Sequence, residues 1–230
     1  MTYRQLGFDL GAGPSHGRGD PGRAGSNLFI AARPDMAAAA MAQSIARDFR
    51  WQYRIERQPL ADWRLHVSLI NLGRHDILPD SLVYHARQAI DEARFEPFEI
   101  AFDDVASLGN GMSHPVVLCA SDRNHALDAA VGLLARKLAG LGVAFRHEPD
   151  FLAHMTLVYH TRPVAPERLP SPVRWRVDRF WLVESLLGRG SYTFLWPRAR
   201  EAGDDQAPSA ERLASSFSDR WISTTAPPGS

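Results

Sequence analysis

The sequence predicts an α+β fold with two similar halves, and two observations carry this prediction. Strand-like and helix-like segments alternate from about residue 27 to residue 200. A short motif of His, an apolar residue, a hydroxyl residue and Leu occurs twice, within residues 64–70 and within residues 152–158. Because both copies follow a similar order of segments, we expect two lobes related by a pseudo-twofold axis.

The N-terminal half contains two strand signals and two helix signals. Short apolar runs rich in branched residues predict buried strands at Leu28–Ala32 and Trp63–Leu72. Proline and aspartate favour the first turn of a helix, so Pro34-Asp35 predicts a helix that continues to about Arg50. In the same way Pro79-Asp80 predicts a helix that ends near Ala93.

The C-terminal half shows the same kinds of signal, punctuated by glycine-rich turns. Leucine and valine recur at helical spacing in the third predicted helix, which Gly142 closes. Gly109-Asn110-Gly111 and Gly188-Arg189-Gly190 predict the turns of two hairpins. The predicted elements are strands Phe98–Leu108 and Pro115–Ala120, helix Asp122–Leu141, strand Phe151–His160, and a final hairpin of Arg174–Leu187 with Ser191–Pro197.

Both motif copies carry a histidine and a hydroxyl residue two positions apart. In a strand, residues i and i+2 share one face. His66 and Ser68 are therefore expected to project together, as are His154 and Thr156. If the fold brings the two strands face to face, they form a pocket with two proton-transfer groups and two hydrogen-bonding hydroxyls.

The motifs and the sequence around them resemble the two-histidine (2H) phosphoesterases, in particular the bacterial 2′-5′ RNA ligase-like cyclic phosphodiesterases. The resemblance covers roughly residues 27–200. Besides the two motifs, it rests on an opening strand, a Leu-Gly pair after the first motif, a strand after the second helix and a closing hairpin. These segments are Asn27–Ala31, Asn71-Leu72-Gly73, Phe98-Glu99-Ile100, and Leu186-Leu187-Gly188 with Tyr192-Thr193.

This resemblance implies antiparallel sheets around a central groove, with helices packed outside and the motif strands lining the groove. It also implies a phosphodiesterase that opens 2′,3′-cyclic phosphates at RNA ends or on small nucleotides to 2′-phosphates. Reverse 2′-5′ RNA ligation is the other direction of the same chemistry. By analogy, His154 activates water and His66 protonates the leaving oxygen, while Ser68 and Thr156 donate hydrogen bonds to the phosphoryl oxygens. No metal or other cofactor is expected, since the histidines have no neighbours at ligand spacing.

Two other functions are compatible with the same motifs. The first is a non-catalytic module of the same fold that binds a nucleotide or an RNA end. Two intact histidine motifs argue against it, because binding alone does not need two titrating groups. The second is a phosphoesterase acting on a different cyclic phosphate, such as an ADP-ribose derivative. The sequence does not distinguish it from a phosphodiesterase acting on 2′,3′-cyclic phosphates.

The sequence departs from the family pattern beside the second motif. The family commonly has an arginine two residues after the motif Leu, where this chain has Tyr159, and by alternation Tyr159 is expected to point away from the His154 face. Arg64 is a candidate replacement cation, since alternation gives it the His66 face. Phe151 and Tyr159 are candidate substrate-binding residues that could stack on a base.

Composition sets the remaining expectations. Lys+Arg 26 balances Asp+Glu 26, which does not indicate an extended nucleic-acid interface but is compatible with an RNA end or a small cyclic nucleotide. Residues 1–26 are glycine-rich and predicted to be disordered, residues 27–200 form the domain, and residues 201–230 form a flexible tail. A single cysteine, with no signal-peptide or membrane-spanning pattern, leads us to expect a cytoplasmic monomer with no membrane partner.

Overall fold

The computed structural model describes residues 25–109, 113–146, 152–187 and 190–197. Within these ranges the chain forms strands, three α-helices and one short 3₁₀ helix. The strands are β1 (Ser26–Ala32), β2 (Val67–His75), β3 (Phe98–Ser107), β4 (His114–Cys119), β5 (His154–His160), β6 (Glu167–Val177), β7 (Trp181–Leu186) and β8 (Ser191–Trp196). The helices are α1 (Met36–Gln52), α2 (Asp80–Glu92) and α3 (His125–Gly140), with the 3₁₀ helix at Asp62–Arg64.

The strands form one eight-stranded sheet in the order β6-β3-β4-β5-β2-β1-β7-β8, and every neighbouring pair is antiparallel. We call β2-β1-β7-β8 the first half-sheet and β5-β4-β3-β6 the second. They meet at the two motif strands through a single registered residue pair, Val67 with Met155. The α+β fold with two related halves is therefore confirmed, and a narrow central seam joins the halves into one continuous sheet.

The core lies between one face of this sheet and the helices. Val67, Leu69, Met155 and Leu157 are fully buried in the main hydrophobic cluster. Each such side chain contributes about 1.5–3 kcal/mol through its removal from water. Burial of the apolar motif residues on this face leaves the histidines and hydroxyls on the other, which we call the motif face.

The helices reach across the chain order to cover the sheet. Helix α1 follows β1 but contacts β5 and β6, so it packs on the second half-sheet. The Asp35 carboxylate caps it by accepting a hydrogen bond from the amide of Ala38 at 2.8 Å. Its buried residues are mostly alanines, which let the helix approach the sheet closely. Among the described residues, no helix is long and apolar enough to cross a membrane.

Several sequence-based boundaries are wrong, including the starts of β5 and α3, and the two largest differences are as follows. The predicted strand Arg174–Leu187 is two strands, because residues 178–180 break it and carry the chain from β6 at one edge to β7 in the first half-sheet. The first motif strand begins at Val67 and not at Trp63, because residues 62–64 form a 3₁₀ turn. The predicted tails lie almost wholly outside the described residues, so their disorder stays a prediction.

Truncation of a seam residue is expected to destabilise the fold strongly. Met155 is fully buried and pairs with Val67, so Met155→Ala should lower the free energy of unfolding by about 2–5 kcal/mol. Urea denaturation measures this change. Met36→Ala is the matched control, since 65% of Met36 is exposed and its loss should change stability by less than about 0.5 kcal/mol. Equal stability of the two variants would contradict the described packing of the seam.

Candidate active site

The register of the seam sets the two motifs directly against each other. Val67 pairs with Met155 in antiparallel orientation, so the next positions outward are His66 opposite Thr156 and Ser68 opposite His154. Side chains directly opposite on neighbouring antiparallel strands have Cβ atoms about 4.5–5.5 Å apart. Each histidine of one motif thus faces the hydroxyl residue of the other, and four polar groups converge on the motif face.

His66 is held by two hydrogen bonds from its own chain segment. Its Nδ1–H donates to the carbonyl oxygen of Arg64 at 2.6 Å, and a carbonyl can only accept. In the neutral ring Nε2 is then the acceptor, and it receives the Ser68 hydroxyl at 3.1 Å. The backbone therefore fixes the tautomer of His66 and leaves Nε2 as the atom that exchanges protons.

His154 repeats the arrangement of His66. Its Nδ1–H donates to the carbonyl oxygen of Leu152, again two residues earlier in the chain, at 2.8 Å. Nε2 is again the nitrogen that remains for proton exchange. Both motifs therefore present the same ring atom for proton transfer, held by the same kind of backbone contact.

Burial favours the neutral form of both rings. It is the largest cause that lowers the pKa of His66, to about 4, and His154, Arg64 and Arg33 lower it further through charge repulsion. The hydrogen bond to the Arg64 carbonyl acts in the opposite direction. Burial also lowers the pKa of His154, against its hydrogen bond to the Leu152 carbonyl. A charge on His154 thus disfavours protonation of His66.

Aromatic side chains of the first half-sheet surround His66. The ring centroids of Phe29 and Tyr192 lie 5.0 Å and 5.4 Å from that of His66, and Trp63 meets Tyr192 edge-on at 6.2 Å. These contacts fix the orientation of the His66 ring and keep water from that side. Sequence reasoning did not identify Phe29 or Tyr192 as site residues, although Tyr192 lies in the closing hairpin that carries the family resemblance.

Arg64 lies beside this cluster, although not through strand alternation. It ends the 3₁₀ turn, and its guanidinium carbon is 4.9 Å from the centroid of the Tyr192 ring. Its Nε is buried and has no hydrogen-bond partner among the described residues. The side chain is thus placed as a cation near His66 with unused hydrogen-bonding capacity.

The structure places Tyr159 at the site and corrects the expectation that it points away. Val158 pairs with Val116 and Thr156 with Val117, so Leu157 is an extra residue that breaks the alternation of β5. Tyr159, two residues beyond this extra residue, therefore lies on the motif face, where the charge of Arg64 acts on its phenol. Burial raises the pKa of Tyr159 to about 12, so the phenol remains a hydrogen-bond donor. Phe151, the other predicted stacking residue, lies outside the described residues.

The first motif has the same irregularity as the second. On β1, Ile30 pairs with Ile70 and Ala31 with Ser68, so Leu69 is also an extra residue. The motif leucine is therefore a bulge in both copies. This feature turns β2 and β5 in the same way just beyond their functional side chains.

One further cation was not identified from the sequence. Arg33 follows β1, and its charge acts on His66. Among the described residues, no group of three or more His, Cys, Asp and Glu side chains could hold a metal ion.

The fold is α+β, and two histidine–hydroxyl pairs lie at the centre of its antiparallel sheet. This combination is typical of the two-histidine phosphoesterases. Solved structures share the fold. E. coli LigT in apo form is 20% identical, with a TM-score of 0.58, and the match covers 74% of this chain and 94% of LigT. LigT complexed with 3′-AMP is 19% identical, and the Thermus thermophilus protein TT0787 is 21% identical. Both of these have a TM-score of 0.58, with the same 74% and 94% coverage.

Sequence comparison gives the family. The sequence model of the 2′-5′ RNA ligase superfamily matches residues 31–189, so the chain belongs to that superfamily, and the two-histidine phosphoesterase resemblance is confirmed. An RNA 2′,3′-cyclic phosphodiesterase of Archaeoglobus fulgidus is 30% identical over 93 residues, which are 40% of this chain and 50% of that protein. The matched segment thus spans about half the length of this relative.

Proposed function

We propose that this protein is a metal-independent phosphodiesterase that opens 2′,3′-cyclic phosphates at RNA ends or on small nucleotides to 2′-phosphates. The observation that supports it most is the pairing of the two motifs across the Val67–Met155 seam, with a backbone-held Nδ1 on each ring. A reacting phosphate between the strands would meet one Nε2 from each side. The activity named for the Archaeoglobus relative and the 3′-AMP bound in LigT support the same substrate chemistry.

The reaction needs a base that takes a proton from water and an acid that gives a proton to the leaving O3′. Water attacks phosphorus in line with the P–O3′ bond while one Nε2 takes a proton from it. The P–O3′ bond breaks as the other ring protonates O3′, leaving a 3′-hydroxyl and a 2′-phosphate. The family analogy assigns the first role to His154 and the second to His66. Positioned acid–base groups of this kind supply roughly 10²–10⁴-fold each.

The hydroxyls stabilise the charge that develops on the phosphoryl oxygens. In the free protein the Ser68 O–H donates to His66 Nε2. On substrate binding it would turn to a phosphoryl oxygen and free that nitrogen for proton transfer. Ser68 and Thr156 are both largely buried, where a hydrogen bond to an anion is stronger than in water. Arg64 and the Tyr159 phenol are the proposed further contacts with the substrate.

Turnover of defined cyclic phosphates tests this function. Phosphorus-31 NMR would follow adenosine 2′,3′-cyclic phosphate, a dinucleotide ending in a 2′,3′-cyclic phosphate, and an ADP-ribose cyclic phosphate. We expect the cyclic signal of the first two to be replaced by a 2′-phosphomonoester, with no change in rate on addition of EDTA. Saturable binding without product would favour a non-catalytic binding module. Turnover of the ADP-ribose compound alone would favour a phosphoesterase specific for ADP-ribose-type cyclic phosphates.

Removal of either hydroxyl is expected to lower turnover less than removal of a histidine. Ser68→Ala and Thr156→Ala should each lower kcat by about 10²-fold or less, since each removes one hydrogen bond to a charged oxygen. Steady-state kinetics with the cyclic mononucleotide measure the effect. Ser68→Thr is the matched control, because it keeps the hydroxyl and should recover most of the lost rate. Full activity of both alanine variants would exclude the proposed role.

A further inference from the structure

Arg33 extends the cross-strand rows of the candidate site by one strand. Ala31 pairs with Ser68 and Ala32 with Val67, so the next position in that register sets Arg33 opposite His66. The same His66 faces Thr156 on its other side. Continued past the last paired residues, the two registers bring Arg33, His66 and Thr156 toward one another on the motif face, and the charge of Arg33 acts on His66.

The Arg33 guanidinium lies on an aromatic platform from the C-terminal hairpin. Its central carbon is 4.2 Å from the centroid of the Phe194 ring and 5.1 Å from that of Trp181. The two rings themselves meet edge-on at 5.7 Å. Stacking of this kind holds the plane of the guanidinium while leaving its N–H groups available at the edge.

The hydrogen-bonding capacity of Arg33 is not used within the described part of the chain. Its Nε is buried without a hydrogen-bond partner there, and no described carboxylate forms an ion pair with it. Asp62 acts on it electrostatically, but burial outweighs that attraction and lowers the pKa of Arg33. A buried donor without a partner destabilises the protein, and more so when it is charged. An anion at this position would remove that destabilisation.

Arg33 is displaced by more than one strand from the position of the reacting phosphate. That phosphate would sit between β2 and β5, whereas Arg33 is on β1. One and a half strand spacings separate these positions, which is roughly 7 Å. The guanidinium also leans away from β5 toward the rings of β7 and β8. A phosphate group one linkage away from the cyclic phosphate would fit this position better.

We propose that Arg33 is a specificity-determining residue that binds a second phosphate of the substrate, next to the cyclic phosphate. The preferred substrate class is then an RNA 3′ end or a nucleotide with a further phosphate, and not a nucleoside 2′,3′-cyclic phosphate alone. The guanidinium fork matches phosphate oxygens in a two-point contact. This inference rests on the proposed function for the identity of the first phosphate.

Three substrates separate the two sources of the second phosphate. They are adenosine 2′,3′-cyclic phosphate, the same compound with a 5′-phosphate, and the dinucleotide ApA with a 2′,3′-cyclic end. The measured quantity is the kcat/KM of each two-phosphate substrate divided by that of the first compound. If a substitution at Arg33 also alters His66, it changes kcat/KM for every substrate by the same factor, and this factor cancels in the ratio. Both two-phosphate substrates carry the second phosphate on the same 5′-oxygen, as a diester in the dinucleotide and as a monoester in the 5′-phosphate. A change confined to the dinucleotide assigns an internal phosphodiester, a change confined to the 5′-phosphate assigns a terminal phosphate, and a change in both assigns the 5′ position for either group.

Arg33→Met is expected to lower this ratio by about 10-fold or more for at least one two-phosphate substrate. Arg33→Lys keeps the positive charge but loses the two-point geometry of the guanidinium. Its ratio should therefore lie between those of the wild-type protein and Arg33→Met. Arg47→Met, an exposed arginine on α1, is the matched control and should leave the ratio unchanged. Melting temperatures of all variants identify any loss of folding, and if Arg33→Met is unstable the Arg33→Lys ratio decides.

An equal loss on all three substrates, or no loss, would overturn the inference while leaving the proposed function intact. Isothermal titration calorimetry with adenosine 3′,5′-bisphosphate and with 3′-AMP provides a test that needs no turnover. The wild-type protein should bind the bisphosphate more tightly, and Arg33→Met should lose about 10-fold of that preference. If no cyclic phosphate is hydrolysed but this preference depends on Arg33, the proposed function fails and the second-phosphate site stands.

Discussion

Replacing His66 or His154 with alanine is expected to lower kcat for a 2′,3′-cyclic phosphate by roughly 10²-fold or more. Each substitution removes one of the two Nε2 atoms that the backbone contacts hold for proton transfer. The remaining ring cannot serve as both base and acid in the same step. Steady-state kinetics on the purified variants measure the loss.

The double variant distinguishes cooperation from two separate roles. Groups that act as a unit are strongly non-additive, so the combined alanine variant should be little slower than the slower single variant. His125→Ala is the matched control, because His125 is exposed at the start of α3 on the helix side of the sheet. Full activity of either single variant, or fully additive losses, would contradict the two-histidine mechanism.

Local periodicity was sufficient for the central residues of the site. Alternation predicts that His66 and Ser68 share a face, and the hydrogen bond between them has that geometry. The same argument separates the buried apolar residues of both motifs from the polar ones. Alternation could not predict the pairing of β2 with β5, since residues far apart in the chain make it. The duplicated motif and the family resemblance led us to expect both motif strands at one groove, but not that they pair directly in one sheet.

Alternation failed where the strands are irregular. The bulge at Leu157 changes the face of every residue beyond it, so the expected direction of Tyr159 was wrong. A bulge is a property of two paired strands, and the sequence of one strand does not specify it. Arg64 lies in a 3₁₀ turn at a position where the sequence predicted a strand, so its place at the site does not come from strand alternation.

Arg33 was missed for a different physical reason. Its sequence position, just before the Pro34-Asp35 start of α1, resembles any solvated residue at a strand end. Its environment depends on Trp181 and Phe194, which the C-terminal hairpin brings to the same face. The role of an arginine depends on the aromatic rings and acids around it, and these contacts are tertiary.

The second large effect is expected in the pH dependence. In the proposed mechanism, the active form of the free protein carries one neutral ring and one protonated ring. Burial lowers the pKa of both rings, to about 4 for His66, so most molecules at pH 7 have two neutral rings. As pH falls from 7, the singly protonated form becomes more abundant. We therefore expect kcat/KM to rise up to tenfold per pH unit, reach a maximum below pH 6.5, and fall again when both rings are protonated.

Bound substrate should raise the pKa of the histidine pair and so move the alkaline limb of the profile to higher pH. Arg64 and Arg33 disfavour the protonated form of His66 in the free protein, and an anionic phosphodiester beside His66 offsets that repulsion. Because kcat reports the bound complex and kcat/KM the free protein, the alkaline limb of kcat should lie at higher pH than that of kcat/KM. The cyclic phosphodiester does not titrate in this range, so the shift belongs to the histidine pair. A kcat/KM profile that is flat between pH 5.5 and 8, or whose alkaline limb lies above that of kcat, would contradict a site built from two buried rings whose pKa values are lowered.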